Sequence, residues 1–468
     1  MKRESNNFMK TSGSKLLITL LCLFVLAGST PSFAIDPDHY RQLVKQFGER
    51  ARAKDWPGAH AALIEIGREL PAPTPRFLLL NATVEMHLGH KTEAIQWLEK
   101  YAATGLTFDL AQEGNMKPLL DEEGGRKVAA LMKERSQQVA TAEFVCSLAQ
   151  ADIMPEDIAY WQPANVKSAA GKPAVSFIVS SIQHGTLYRV SMPKPGAKEC
   201  AVQELPLAGE AKRWPTMAVS ADPKRKTLWV AISAMPGFSG FPKEDEGKAL
   251  LLEVDANSGK VLHRFDPGTS GPAVLGDMSV TGDGTVYVTD SIGGGVYRLH
   301  GDLQTARLEK IADGLFSPQS PVLASDGKRL FVADYTMGIA VIDLATAGAP
   351  AKVNYLPHPE NVALVGLDGL YLSGDSLIGI QNGTDPARIL RLRMNQVETE
   401  ITGAQVMEQS TERMGDPTHA VAVDGWIYVS ANVGWNKVDD NTGKLKPGEK
   451  FTPPVLLRFP AQAQGAEK

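Results

Sequence analysis

Glu156, Gln319 and Asp368 are the residues of this chain whose types and spacing point first to chemistry. Each stands at the head of a short apolar run, in PEDIAYW, SPQSPVLASDGKRLFVADY and GLDGLYLSGDSLIGIQNG, and each carries a side-chain oxygen. Three oxygen donors brought from separate segments to one point would surround a hard divalent cation such as calcium. Asp277, in LGDMSVTGDGTVYVTDS, adds an acid beside them. The bland reading of each residue is a hydrogen bond that caps its own strand or a buried channel water. For a lone aspartate that reading wins, and His419 also reads as a satisfied strand histidine. The set in register favours a shared site.

The register comes from a repeat. From about residue 142 short β-branched and aromatic runs alternate with Gly, Asp, Pro and Asn turns, the pattern of an all-β domain. One segment recurs six times, beginning at MPEDIAYW, RWPTMAVSADPKRKTLWVAIS, LGDMSVTGDGTVYVTDS, SPQSPVLASDGKRLFVADY, GLDGLYLSGDSLIGIQNG and GDPTHAVAVDGWIYVSAN. The turn aspartates Asp283, Asp326, Asp375 and Asp424 fall 43, 49 and 49 residues apart. Units of that length with two to four strands are propeller blades. Aligned on their turns, the copies place Glu156, Thr216, Gly276, Gln319, Asp368 and Thr418 where an inner strand begins, facing the axis. Glu360, in HPENVAL, competes with Asp368 but lacks its seven-residue interval to the turn. The run AEFVCSL (142–148) is expected to close the ring beside VLLRF (455–459).

Residues 38–140 have helical spacing instead. AKDWPGAHAAL and LGHKTEAIQWL align, with Ala59 and Ala94 about one tetratricopeptide period apart. Two degenerate helical hairpins and a third helix near 124–138 follow, serving either as a cap on the β domain or as a module that docks a protein partner. The expected fold is therefore an all-β six-bladed β-propeller preceded by a small α-helical, degenerate tetratricopeptide-like region. The expected domains are a signal peptide over 1–34, the helical region over 35–140, the propeller over 141–462 and a disordered tail over 463–468.

The leader carries Lys2, Arg3, Lys10 and Lys15 before LLITLLCLFVLAG and a small-residue end at Ser32 and Ala34. That is a secretory signal with cleavage after Ala34, so a secreted or periplasmic chain is expected. The run is too short for a comfortable membrane span, and no other stretch suggests one. Without the leader 44 basic residues face 52 acidic ones, a net charge of −8 that offers nothing to nucleic acid. Cys146 and Cys200 remain, and would pair in an oxidising compartment or stand as two buried thiols.

On the quoted phrases, residues 150–460 resemble the senescence-marker-protein (regucalcin), gluconolactonase and paraoxonase-like propellers. The resemblance implies a calcium- or zinc-dependent hydrolase acting on a small lactone or ester. By that resemblance Asp368 or Asp277 would position or deprotonate the attacking water, and Thr216, Thr418 and His419 would line the substrate end of the channel. Glu156 matches the family's ligand glutamate and Asp368 its aspartate. Gln319 stands where an asparagine ligand is usual. Gly276 stands where another is usual, with Asp277 following. These departures keep open a second reading, a non-catalytic propeller that binds a ligand or a protein. GDSL (374–377) and GFSGF (237–241) read as turn and loop rather than nucleophile motifs. NGT (382–384) fits a glycosylation pattern, and SAMPGFSGFPKEDEG (233–247) is long enough to overhang one mouth of the channel.

Overall fold

The computed structural model describes residues 35–161, 176–192, 196–210, 212–222, 224–235, 238, 241–345, 350–439 and 442–462. The expected leader and tail lie outside the described residues. As the repeat predicts, six four-stranded antiparallel blades surround an axis. Their inner strands are Ile158–Tyr160, Thr216–Asp222, Leu275–Val280, Pro318–Leu323, Leu367–Ser373 and Ala420–Val423. The next strand of each blade, such as TLWVAIS in blade 2 or LIGIQ in blade 5, is buried along nearly its whole length. Neighbouring blades cover both of its faces, so the run is continuously apolar rather than alternating. The outermost strands, such as ECAVQEL and VLHRF, alternate because one face meets water.

A polar residue near the end of each second strand fixes where an inner strand starts. Within their own blades, the Ser181 hydroxyl donates to the Ile153 carbonyl, and Gln381 donates to the carbonyls of Ala363 and Val365. Asp290 accepts from the Val274 N–H, and Asp334 from those of Phe316 and Ser317. Other residues reach the next blade: Ser180 donates to the Met217 carbonyl, Ser233 accepts from the Leu275 N–H, and Ser430 donates to the Pro155 carbonyl. Most of these bonds are buried, where losing one partner costs about 1–3 kcal/mol.

The ring closes as expected. Glu143–Leu148 becomes the outer strand of blade 6, pairing antiparallel with Val455–Pro460. The Arg458 guanidinium binds Glu143 at 2.6 Å and lies 3.9 Å from the Trp426 ring centre. The same strand meets the outer strand of blade 1 in parallel, and there Cys146 and Cys200 form a disulfide. Closure by strands from both ends of the domain is thus covalently tied to the first blade.

The helices are α1 (Pro37–Arg52), α2 (Trp56–Glu69), α3 (Pro75–Leu88), α4 (Lys91–Ala103) and α5 (Glu123–Arg135). Asp36, Asp55 and Thr74 cap the first three, each with a proline in the opening turn, where its missing N–H is no loss. Ala59 and Ala94 are both fully buried. The helices and the propeller belong to one compact unit. Leu43, Leu63 and Phe77 share a core with Leu315 and Leu330 of blades 3 and 4, and Tyr40 packs edge-on against Phe316 at 5.2 Å. Arg388 of blade 5, nearly fully buried, donates twice to the Gln381 side chain and once to the Thr104 carbonyl between α4 and α5. After α5, Val139–Ala140 adds a fifth strand to blade 5. These contacts match the cap reading of the helical region. No described helix is long and apolar enough to cross a membrane.

The disulfide spans 54 residues, so chain entropy predicts that it stabilises the fold by roughly 4 kcal/mol. Cys200→Ser, or reductant with the wild type, should lower the melting temperature markedly. Identical melts with and without reductant would show that strand pairing alone holds the ring.

Candidate axial site

Four of the six inner strands begin with a register break. It falls between Thr216 and Ala218, Leu275 and Asp277, Pro318 and Pro321, and Leu367 and Gly369. A bulge adds one residue to one strand and re-aims a side chain. Asp368 and Gly276 are themselves the extra residues, Gln319 lies inside a bulge, and Asp277 follows one directly. The positions aligned by their turns are therefore positions where the backbone departs from the sheet.

The donor atoms of Glu156, Asp368 and His419 lie within 4.8 Å of one another, and all three residues are buried. Glu360, the competitor for Asp368, is exposed. His419, expected at the substrate end, instead joins the acids. Its Nδ1 lies 2.9 Å from the Glu156 carbonyl, to which it donates. Its Nε2 faces the Asp277 carboxylate in a very short contact. With one proton on Nδ1, a contact this short leaves room only for a second proton between Nε2 and the carboxylate, which a cation bound to His419 would have to displace. Thr418, also expected at the substrate end, donates its hydroxyl to the Glu156 carbonyl at 2.6 Å, which holds that residue in place. The Thr216 hydroxyl is fully buried and has no partner among the described residues.

Gln319 lies beside the Gly276 position of blade 3. Its amide nitrogen donates to Ser317, and its carbonyl oxygen lies 3.6 Å from where a Cβ on Gly276 would stand. The missing side chain at Gly276 leaves room for the longer Gln319.

Four further residues were not foreseen as parts of the site. Trp435 donates its indole N–H to Glu156 at 2.5 Å. It sits on a short 3₁₀ turn whose N–H groups, from Gly434 and Asn436, bind Asp416. Asn382, in the NGT triplet, donates to Asp368 at 2.6 Å and to the Pro417 carbonyl, and accepts from Tyr335. Asp157 accepts the N–H groups of Ile158 and Val219, and the Tyr371 hydroxyl accepts that of Ala420. Asp157 was legible as the residue beside Glu156. Asn382 stands near the end of the fifth repeat copy, just after its second strand, and Trp435 lies beyond the sixth copy.

Burial and the neighbouring Asp368 raise Glu156 to about 8. Burial, with Asp277 adding to it, raises Asp368 to about 6, and burial raises Asp157 to about 7. Burial alone would lower His419, but the Asp277 carboxylate more than reverses this and lifts it well above the ordinary value. Each of these carboxyls keeps its proton to a higher pH than it would in water, and a bound cation would release it.

The two ends of the axis differ. At the upper face, where the inner strands begin, Met154, Met217, Val274 and Val438 form an apolar cover with Phe238, Trp435 and Phe451. Phe238, from the long loop of blade 2, meets Trp435 edge-on at 5.6 Å. Below His419, Asp157 and Tyr371 a cavity of about 640 Å³ runs along the inner strands.

No family model matches the chain, and no curated protein matches it. Among solved structures it is similar to the PQQ-bound form of aldose sugar dehydrogenase from Streptomyces coelicolor (12% identity over 69% of this chain and 98% of that one, TM-score 0.41). It is also similar to a catalytically inactive virginiamycin B lyase from Staphylococcus aureus with quinupristin (14%, 71% and 90%, TM-score 0.39). A third is a luciferin-regenerating enzyme (10%, 69% and 92%, TM-score 0.40). With likenesses this loose, the fold rests on the strand pairing itself.

The raised groups fix a pH dependence. A carboxyl whose folded value exceeds its unfolded one stays protonated in the folded chain where the unfolded chain has lost its proton, so stability falls as pH rises between the two values. Glu156, Asp157 and Asp368 all act in this direction between about pH 4 and 8. His419, also raised, acts in the same direction above its ordinary value. In chelator, the melting temperature should drop by several degrees from pH 5 to pH 8, and added divalent cation should flatten the curve. A melting temperature that is flat or rises with pH in chelator would show that the cluster is not charged as described.

Proposed function

We propose that the chain is an exported hydrolase of the gluconolactonase type, acting with a divalent cation at the propeller axis on a small lactone or ester. The observation that carries this reading is His419, with Nδ1 tied to a carbonyl and Nε2 turned to the Asp277 carboxylate beside Glu156 and Asp368. A backbone acceptor on one ring nitrogen is the usual way a metal-binding histidine is oriented. The imidazole moves the expected ion from calcium, which takes oxygen donors, towards zinc or another ion that accepts nitrogen. Such an ion supplies Lewis acidity, polarising the ester carbonyl.

The chain's own residues then have distinct tasks. Glu156, Asp368 and His419 would hold the cation, with Asp277 against His419. Asp368, raised to about 6 in the free protein, is placed to position the attacking water and take its proton. Asn382 and Trp435 orient Asp368 and Glu156 through the bonds described. Export is supported by the leader and by the disulfide, which suits an oxidising compartment.

The second reading, a binding propeller without catalysis, is favoured by the apolar cover over the upper face. The degenerate tetratricopeptide-like helices would then offer their outward face to a protein partner.

Metal analysis of the purified protein separates the two. The wild type should carry close to one zinc-class ion, lose it to chelator together with lactone hydrolysis, and melt lower afterwards. Glu156→Gln/Asp368→Asn should bind no metal and lose at least about 100-fold in activity, the upper range for an outer-shell partner alone. Asn382→Leu should lose about 10–100-fold with the metal retained. A metal-free wild type with chelator-insensitive melts would favour the binding reading.

A further inference from the structure

We propose that the lower half of the central channel binds the apolar part of an amphipathic lactone or ester, which reaches the axial cluster from the face where the inner strands end. That the ligand is a substrate rests on the hydrolase reading above; that the channel holds an apolar body does not.

The cavity of about 640 Å³ has the volume of a small-molecule site. It extends from Asp157 and His419 to Trp161, Lys226 and Asn257 at its mouth. Four residue steps from Asp157 to Trp161 make it about 13 Å deep, at 3.3 Å per residue. Its walls include Ala159, Val219, Met278, Pro321, Leu370 and Val421. Tyr160, Val280, Val322 and Leu372 along it are only half-buried, so water reaches the channel from below. The upper route meets the apolar cover, with Trp435 bonded directly to Glu156.

The wall chemistry selects the ligand class. A polyhydroxylated sugar lactone would press its hydroxyls against valine, leucine and methionine, where an unpaired hydroxyl costs free energy. An alkyl chain gains there by leaving water. A few polar groups interrupt the walls. Ser220, Ser279 and Ser320 line the cavity, but the Ser279 hydroxyl itself is buried. Ser220 and Ser320 are left to meet an ester oxygen.

The test is isothermal titration of γ-butyrolactone, γ-decalactone and glucono-δ-lactone into Glu156→Gln/Asp368→Asn, where hydrolysis does not consume the probe, with hydrolysis assays on the wild type in parallel. γ-Decalactone should bind at least ten-fold more tightly than γ-butyrolactone or glucono-δ-lactone. Ser279→Phe, which fills the channel, should weaken it at least ten-fold, and Ser220→Leu on another blade repeats the test if that variant does not fold. Phe238→Ala, at the upper cover, should leave the affinity unchanged. Equal affinities for the two γ-lactones, tightest binding of glucono-δ-lactone, or weakening by Phe238→Ala but not by the channel substitutions would each overturn the proposal. Chain-length-dependent binding in a wild type that holds no metal would overturn the hydrolase reading and leave the channel site standing. Metal-dependent hydrolysis without chain-length dependence would overturn the channel site alone.

Discussion

The pairing of Glu143–Leu148 with Val455–Pro460 is the constraint on which the axial site depends. Six twisted sheets converge on an axis only if the ring is shut, and here one blade is assembled from both ends of the domain. Closure brings Glu156, near the start of the domain, against Thr418 and His419, near its end. A ring opened at blade 6 would separate the histidine and the glutamate whose bond defines the cluster. The disulfide and the Arg458–Glu143 pair both resist that opening.

Convergence has an electrostatic cost. Carboxylates that would be harmless at a strand end in water are desolvated together at the axis, and each disfavours the charge of the others. The fold keeps them there by directional bonds from residues of fixed position: Asn382 on Asp368, Trp435 on Glu156, and two backbone N–H groups on Asp157. A buried group held this way cannot swing out to solvent when it ionises. It holds its proton instead, up to about pH 8 at Glu156.

Much of this arrangement is legible in the sequence. Turn spacing alone separates the blades and places Glu156 and Asp368 at strand starts, because hairpin turns need particular residues at particular positions. Asp277 is displaced by one place because Gly276 is an extra residue in a bulge, and counting back from a turn cannot reveal where a strand gains a residue. His419 follows Thr418 directly, and strict strand alternation would send neighbours to opposite faces. Both nevertheless engage the Glu156 carbonyl, because regular pairing begins only at Ala420. Trp435 and Asn382 belong to loops, where no period exists to predict direction. The pairing of Cys146 with Cys200 depends on contact between blades 6 and 1, which only tertiary structure supplies.

The exchange of donors around the axis has one physical logic. Blade 3 lacks a side chain at Gly276, and blade 4 carries the longer Gln319, whose carbonyl turns towards the space left there. Gly276 itself offers no side-chain ligand. Asp277, one residue on, and His419 from blade 6 meet across the axis. They add a carboxylate and an imidazole nitrogen to the cluster. The nitrogen would favour a zinc-class ion over calcium, while the carboxylate would bind any divalent ion more tightly. The same residue, His419, also forms the roof of the apolar cavity below. One side chain thus borders both the charged cluster and the apolar channel, the boundary at which an ester carbonyl with an apolar substituent would have to lie.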